Sequence, residues 1–94
     1  MQTRLFVQNI STHTSEEQLQ ELFEKHGEVM STTIPTDHTS GRPKGFAFVE
    51  MLTPKDAKTA MKSLDRKKLN GRVLRIAFSK SRERKRSTAY SYLF

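Results

Sequence analysis

Two short runs hold the side chains best suited to chemistry: Leu5-Phe6-Val7-Gln8-Asn9-Ile10 and Lys44-Gly45-Phe46-Ala47-Phe48-Val49-Glu50-Met51. In an extended chain alternate residues share a face, so Phe46, Phe48 and Glu50 point one way and Ala47, Val49 and Met51 the other. A small core has no place for an unpaired carboxylate, so Glu50 puts its own set, both rings included, on the outer face. In the first run Leu5 and Val7 form the inward pair, which leaves Phe6 and Gln8 outward. Flat rings on a surface are platforms on which nucleobases stack, worth about 1–3 kcal/mol per base. Arg4, Lys44, Arg75 and Lys80, with Arg42 just ahead of the second run, supply the positive charge that phosphates require. The same rings would also serve as packing surface beneath a terminal segment or a second subunit.

Other chemistries lack their residues. There is no cysteine, which excludes disulfides and thiolate metal sites. His13, His26 and His38 fall in unrelated segments without metal-ligand spacing, and no nucleophile is matched to a base. Gly41 and Gly45 lead into a strand rather than a helix, so they do not form a phosphate-cradling loop. The sequence therefore predicts a binding protein, not an enzyme, with no metal and no cofactor. Glu16, Glu17, Glu21 and Glu24 make an acidic helix face that favours the helix N-terminus and repels a polyanion, which directs such a partner to the opposite side.

Charge is concentrated late in the chain. The net charge is +7, yet residues 1–65 carry seven Lys/Arg against nine Asp/Glu, while residues 66–86 carry ten Lys/Arg against Glu83 alone. Positive charge gathered in one segment suits an anionic partner. The 94 residues, 34% hydrophobic and 9% aromatic, suffice for one compact core but not two. No apolar run approaches the roughly 20 residues of a membrane span. The opening MQTRLF lacks the basic start and long apolar stretch of a signal peptide, so an intracellular location, nucleus or cytoplasm, is expected.

The elements that must position these residues are legible from pattern. Residues 4–10 read as a strand. Ser15 and Gln18 form a capping box opening a helix, with Leu19, Leu22 and Phe23 on one face and Gly27 ending it in a left-handed conformation. Residues 29–34 read as a second strand whose inward parity is Met30, Thr32 and Ile34, so the Thr32 hydroxyl is expected to be buried. Residues 36–43 form a loop and 44–51 a third strand. Thr53-Pro54 caps and starts a second helix that buries Ala57, Ala60, Met61 and Leu64. Asn70-Gly71 is a turn, and residues 73–78 read as a fourth strand. The order β-α-β-β-α-β specifies an α+β, ferredoxin-like fold: a four-stranded antiparallel sheet with two helices on one face and the first and third strands central.

The octamer Lys44 to Met51 resembles the longer signature of the RNA recognition motif family, which reads Lys/Arg, Gly, Phe/Tyr, Gly/Ala, Phe, Val, any residue, Phe/Tyr. Every specified position matches except the last, where Met51 faces the core by parity and serves as a filler. Leu5 to Ile10 is similar to the family's shorter hexamer, and the resemblance spans residues 3–80. It implies that Phe6 and Phe48 stack bases, that Phe46 packs against ribose and that Lys44 bonds a phosphate. Gln8, Thr33, Glu50, Arg75 and Ala77 would line the same face and read base edges, with further contacts near Ser79 and Lys80.

The sequence thus predicts a monomeric domain over residues 3–80 that takes single-stranded RNA, or single-stranded DNA, on its open face. The rival is a protein-interaction module of the same fold, using the sheet, the helix face or the C-terminal tail. An acylphosphatase-like enzyme would need an oxyanion-cradling loop after the first strand, and none is evident. Residues 81–94 form a tail, basic and then aromatic. Its basic part suits an electrostatic arm, a short helix or a nuclear-import patch. Its end, Tyr90-Ser91-Tyr92-Leu93-Phe94, suits folding back on the sheet, stacking on RNA, binding a partner or a loose terminus.

Overall fold

A computed structural model of the chain describes residues 2–79; Lys80 and the tail 81–94, with the roles expected for them, lie outside the described residues. The elements run β1 (Arg4–Gln8), α1 (Glu16–Glu24), β2 (Val29–Thr33), β3 (Phe46–Met51), α2 (Pro54–Leu64), β4 (Lys68–Leu69), β5 (Arg72–Val73) and β6 (Arg75–Phe78). β2, β3, β1 and β6 form one antiparallel sheet in that order, so β1 and β3 are the central pair. Leu5, Val7, Ala47, Val49, Met51 and Ile76 project from its inner face onto Leu19 and Phe23 of α1 and Ala57, Ala60 and Leu64 of α2, and all of these are buried. The ferredoxin-like α+β arrangement is the one the element order specified.

The helix starts form as their sequences dictate. Ser15 and Gln18 exchange side-chain and backbone hydrogen bonds in a full capping box, and Thr53 caps α2 through the Asp56 N–H with Pro54 in the first turn. Gly27 has a different role from the one expected. α1 caps at Lys25 in ordinary helical geometry, and Gly27 lies beyond it at φ +155. A Cβ there would come within 2.6 Å of the Asp56 Cβ, so it is the close passage of α2 that requires glycine.

Two strands depart from simple alternation. β1 stops at Gln8 because Asn9 adopts φ +63, a conformation asparagine tolerates. In β2 the register shifts between Val29 and Ser31, which makes Met30 the extra residue of a bulge. Met30 was expected inward and is 58% exposed, whereas Val29 packs on the core in its place. Alternation resumes at Thr32, whose Oγ1 is buried with no hydrogen-bond partner among the described residues. The segment read as a fourth strand over 73–78 divides: Val73 belongs to a hairpin with β4, Leu74 is buried between, and only 75–78 joins the sheet.

Candidate nucleic-acid interface

The register places the outward side chains in three rows across the sheet. Ser31, Glu50 and Arg4 form one row, Thr33, Phe48, Phe6 and Ala77 the next, and Phe46, Gln8 and Arg75 the third. Phe6, Phe46, Phe48, Gln8, Thr33, Glu50, Arg4, Arg75 and Ala77 are thus brought together on the face opposite the helices. The three rings touch one another. Phe6 and Phe48 stack at 5.2 Å between centroids, and Phe46 meets them edge-on at 5.4 and 5.8 Å. The rings are half-buried rather than fully exposed, because each shields its neighbours' edges.

Charge is arranged around the trio. The Arg4 guanidinium lies 4.5 Å from the centre of the Phe48 ring, a cation–π contact. The Thr3 hydroxyl donates to Glu50 Oε2 at 2.6 Å and fixes that carboxylate at the top of the face. Ser79 N–H donates to the Arg4 carbonyl at 2.8 Å, so the described chain ends at the same corner. Arg75 and Gln8 are exposed at the opposite end, where they share a depression with Asp65.

Lys44 and Arg42 stand on the loop between β2 and β3, off the sheet and past its Phe46 end. Lys44 N–H donates to the Pro35 carbonyl, and the loop folds around Asp37, whose Oδ1 accepts from the N–H groups of Thr39 (2.7 Å) and Ser40 (3.1 Å). The bonds from Ser40 and Thr39, aided by the Lys44 charge, hold the Asp37 carboxyl below its ordinary pKa.

The late basic segment is only partly on this face. Of its described cations, Arg75 alone is on a strand of the main sheet; Arg66 and Lys67 follow α2, and Lys68 and Arg72 belong to the β4–β5 hairpin. That hairpin is fastened to the end of β1: Asn9 Nδ2 donates to the Val73 carbonyl at 2.7 Å, and Arg72 Nε donates to Asn9 Oδ1 at 3.1 Å. Asn70 ties its tip to the start of α1 through Thr14 Oγ1 and Gln18 Oε1. Sequence reading saw Asn70-Gly71 only as a turn. The dipeptide is also a strong hairpin signal, and both residues have positive φ, 51 and 83. Reading by strand alone also passed over Thr3 and Ser31, which complete the surroundings of Glu50, and Asp65 beside Arg75.

Comparison with known proteins agrees with this geometry. A family model described as RNA recognition motif matches residues 5–75. Chicken nucleolin is 47% identical over 75 residues, covering 80% of this chain and 10% of that protein. The mitochondrial glycine-rich RNA-binding protein 4 of Arabidopsis thaliana is 37% identical over 82 residues, covering 87% and 60%. The chain spans 10% to 31% of nucleolin, a yeast nuclear localization sequence-binding protein and an Arabidopsis SC35-like splicing factor. Among solved structures, RNA Binding Protein PG1 superposes with a TM-score of 0.82 at 34% identity, covering 85% of this chain and 96% of that one. The Rna15 RRM with bound RNA (GU) superposes at 0.77 with 26% identity, covering 86% of each.

Proposed function

The chain belongs to the RNA recognition motif family, and from that premise we propose that it binds single-stranded RNA on the open face of its sheet. The observation that carries this reading is the contact of Phe6, Phe46 and Phe48 on the face the helices leave free. Bases stack on Phe6 and Phe48, a ribose packs on Phe46, and Lys44 and Arg42 take phosphates from the adjoining loop. Gln8, Thr33, Glu50, Arg75 and Ala77 lie in the same rows and read base edges. Lys80, following directly on Ser79, adds charge where the described chain ends. The Rna15 relative, solved with bound RNA, supports an RNA partner. Single-stranded DNA shares the bases and phosphates and binds in the same way.

The role is binding rather than catalysis, by a monomeric domain of residues 3–80 acting in the nucleus or cytoplasm. No helix of the described residues is long and apolar enough to cross a membrane. Titration of the labelled chain with a short single-stranded RNA tests the proposal. Amide signals of residues 4–8, 46–51 and 75–77 are expected to shift together. Shifts confined to α1 and α2 would reject it in favour of a protein-interaction module.

A further inference from the structure

The depression beside Phe48 is framed by Arg4, Ser31, Thr33, Phe48 and Glu50. It combines an aromatic floor, a carboxylate, two hydroxyls and a guanidinium. Glu50 is half-buried, and its carboxylate is held from behind by the Thr3 hydroxyl at 2.6 Å on Oε2. A carboxylate offers about four acceptor positions and no donor, so one bond from Thr3 leaves both oxygens able to accept more. A negative group on a face that receives a polyanion is unfavourable unless it meets hydrogen-bond donors rather than phosphate.

We propose that this depression selects guanine, with Glu50 as the specificity-determining residue; the inference rests on the RNA-binding reading above. Among the four bases, guanine alone presents two adjacent donors on its pairing edge, N1–H and the N2 amino group. These match the two oxygens of one carboxylate. Adenine and cytosine set a ring-nitrogen acceptor beside their amino group, so one carboxylate oxygen would face a lone pair. Uracil flanks its single N3–H with two carbonyls, and leaving a charged acceptor against them costs its lost hydrogen bonds. Guanine O6 sits next to N1 and takes a bond from a Ser31 or Thr33 hydroxyl or from Arg4. Stacking on Phe48 fixes the plane in which the edge meets Glu50.

The test is binding of the full chain to short oligouridine RNAs that carry one central guanosine, inosine, adenosine, cytidine or uridine, read by fluorescence anisotropy at fixed salt. A good two-bond match predicts guanosine tighter than uridine by roughly tenfold or more. Inosine, which lacks the N2 amino group, should fall between them. Glu50→Gln keeps the shape but turns one acceptor into a donor. It should bring the guanosine and uridine RNAs together while leaving or improving affinity for the all-uridine RNA. Equal affinity for guanosine and uridine RNAs in the unmodified chain, or an unchanged ratio in E50Q, overturns the proposal. Failure of the underlying reading looks different: no RNA in the series would bind at low salt, or Phe48→Ala would leave every affinity unchanged, and both proposals would fall.

Discussion

Ala47, Val49 and Met51 are sealed under the helices, while Phe46, Phe48 and Glu50, interleaved with them on β3, remain half open. One strand thus serves two environments, and the side chains on each face follow different rules. The inner set is small or flexible and fills the space between sheet and helices, as close packing requires. The outer set is large and aromatic, and it limits its own exposure by ring–ring contact instead of by a covering element. A change on the inner face should therefore be read as lost stability, and a change on the outer face as lost binding.

The severest way to break this contrast is to damage the inner face. Phe23 is fully buried, so Phe23→Ala should cost about 3–5 kcal/mol of folding stability. Chemical denaturation measures it, and RNA affinity per folded molecule should be preserved. On the outer face Phe48→Ala should do the reverse, weakening RNA binding by about 1–3 kcal/mol. Half-burial adds a smaller stability cost, because each lost ring contact is worth about 0.5–1.5 kcal/mol. A Phe48→Ala protein that unfolds yet binds normally when folded would show that the two faces have been assigned the wrong way round.

Much of this contrast was legible in the sequence because it depends on alternation, and alternation is local. Glu50 alone was enough to orient β3, and β1 followed. The capping box at Ser15 and the Thr53-Pro54 start were equally local. What escaped reading depends on contacts between distant segments. The bulge at Met30 is set by how β2 meets β3, and it moves one residue out of phase with no mark in the sequence. Gly27 was recognised as special, but its reason lies in Asp56 of α2. The fastening of the β4–β5 hairpin by Asn9 and Asn70 joins residues far apart in the chain. The surroundings of Glu50 likewise combine Thr3, Arg4, Ser31 and Thr33 from two other strands and the N-terminal approach.

Gly27 offers an intermediate test on the helix side. Gly27→Ala must place a methyl against Asp56 at a φ that side chains rarely adopt, and overpacking of this kind costs about 1–3 kcal/mol. The loss should appear in thermal melting with the RNA-bound amide pattern unchanged. Lys44 tests the outer face more gently. If it neutralises one phosphate, Lys44→Ala should flatten the log–log salt dependence of binding by about 0.7. Affinity for different RNA sequences should fall in parallel. An unchanged slope would remove Lys44 from the interface.

The smallest expected effect concerns Asp37, which joins the loop to the charge of Lys44. Its carboxylate accepts the Ser40 and Thr39 N–H groups, and these bonds exist in full only while it is ionised. The folded pKa therefore lies below the unfolded value of about 3.9. A depressed carboxyl contributes stability that is fully present above the unfolded pKa and is lost as pH falls through the folded one. Loop order should accordingly be constant at neutral pH and decline only in the acid range below the ordinary aspartate value. The side-chain carbonyl resonance of Asp37 should titrate with a midpoint under that value, and the Thr39 and Ser40 amides should move with it. Asp37→Asn keeps an acceptor for the turn but removes the charge that competes for Lys44. It should preserve the loop and tighten RNA binding slightly, with the gain fading as salt screens it. A normal Asp37 midpoint would mean that the loop is not held by this carboxylate. Weaker RNA binding in Asp37→Asn would mean that the carboxylate positions Lys44 instead of competing for it.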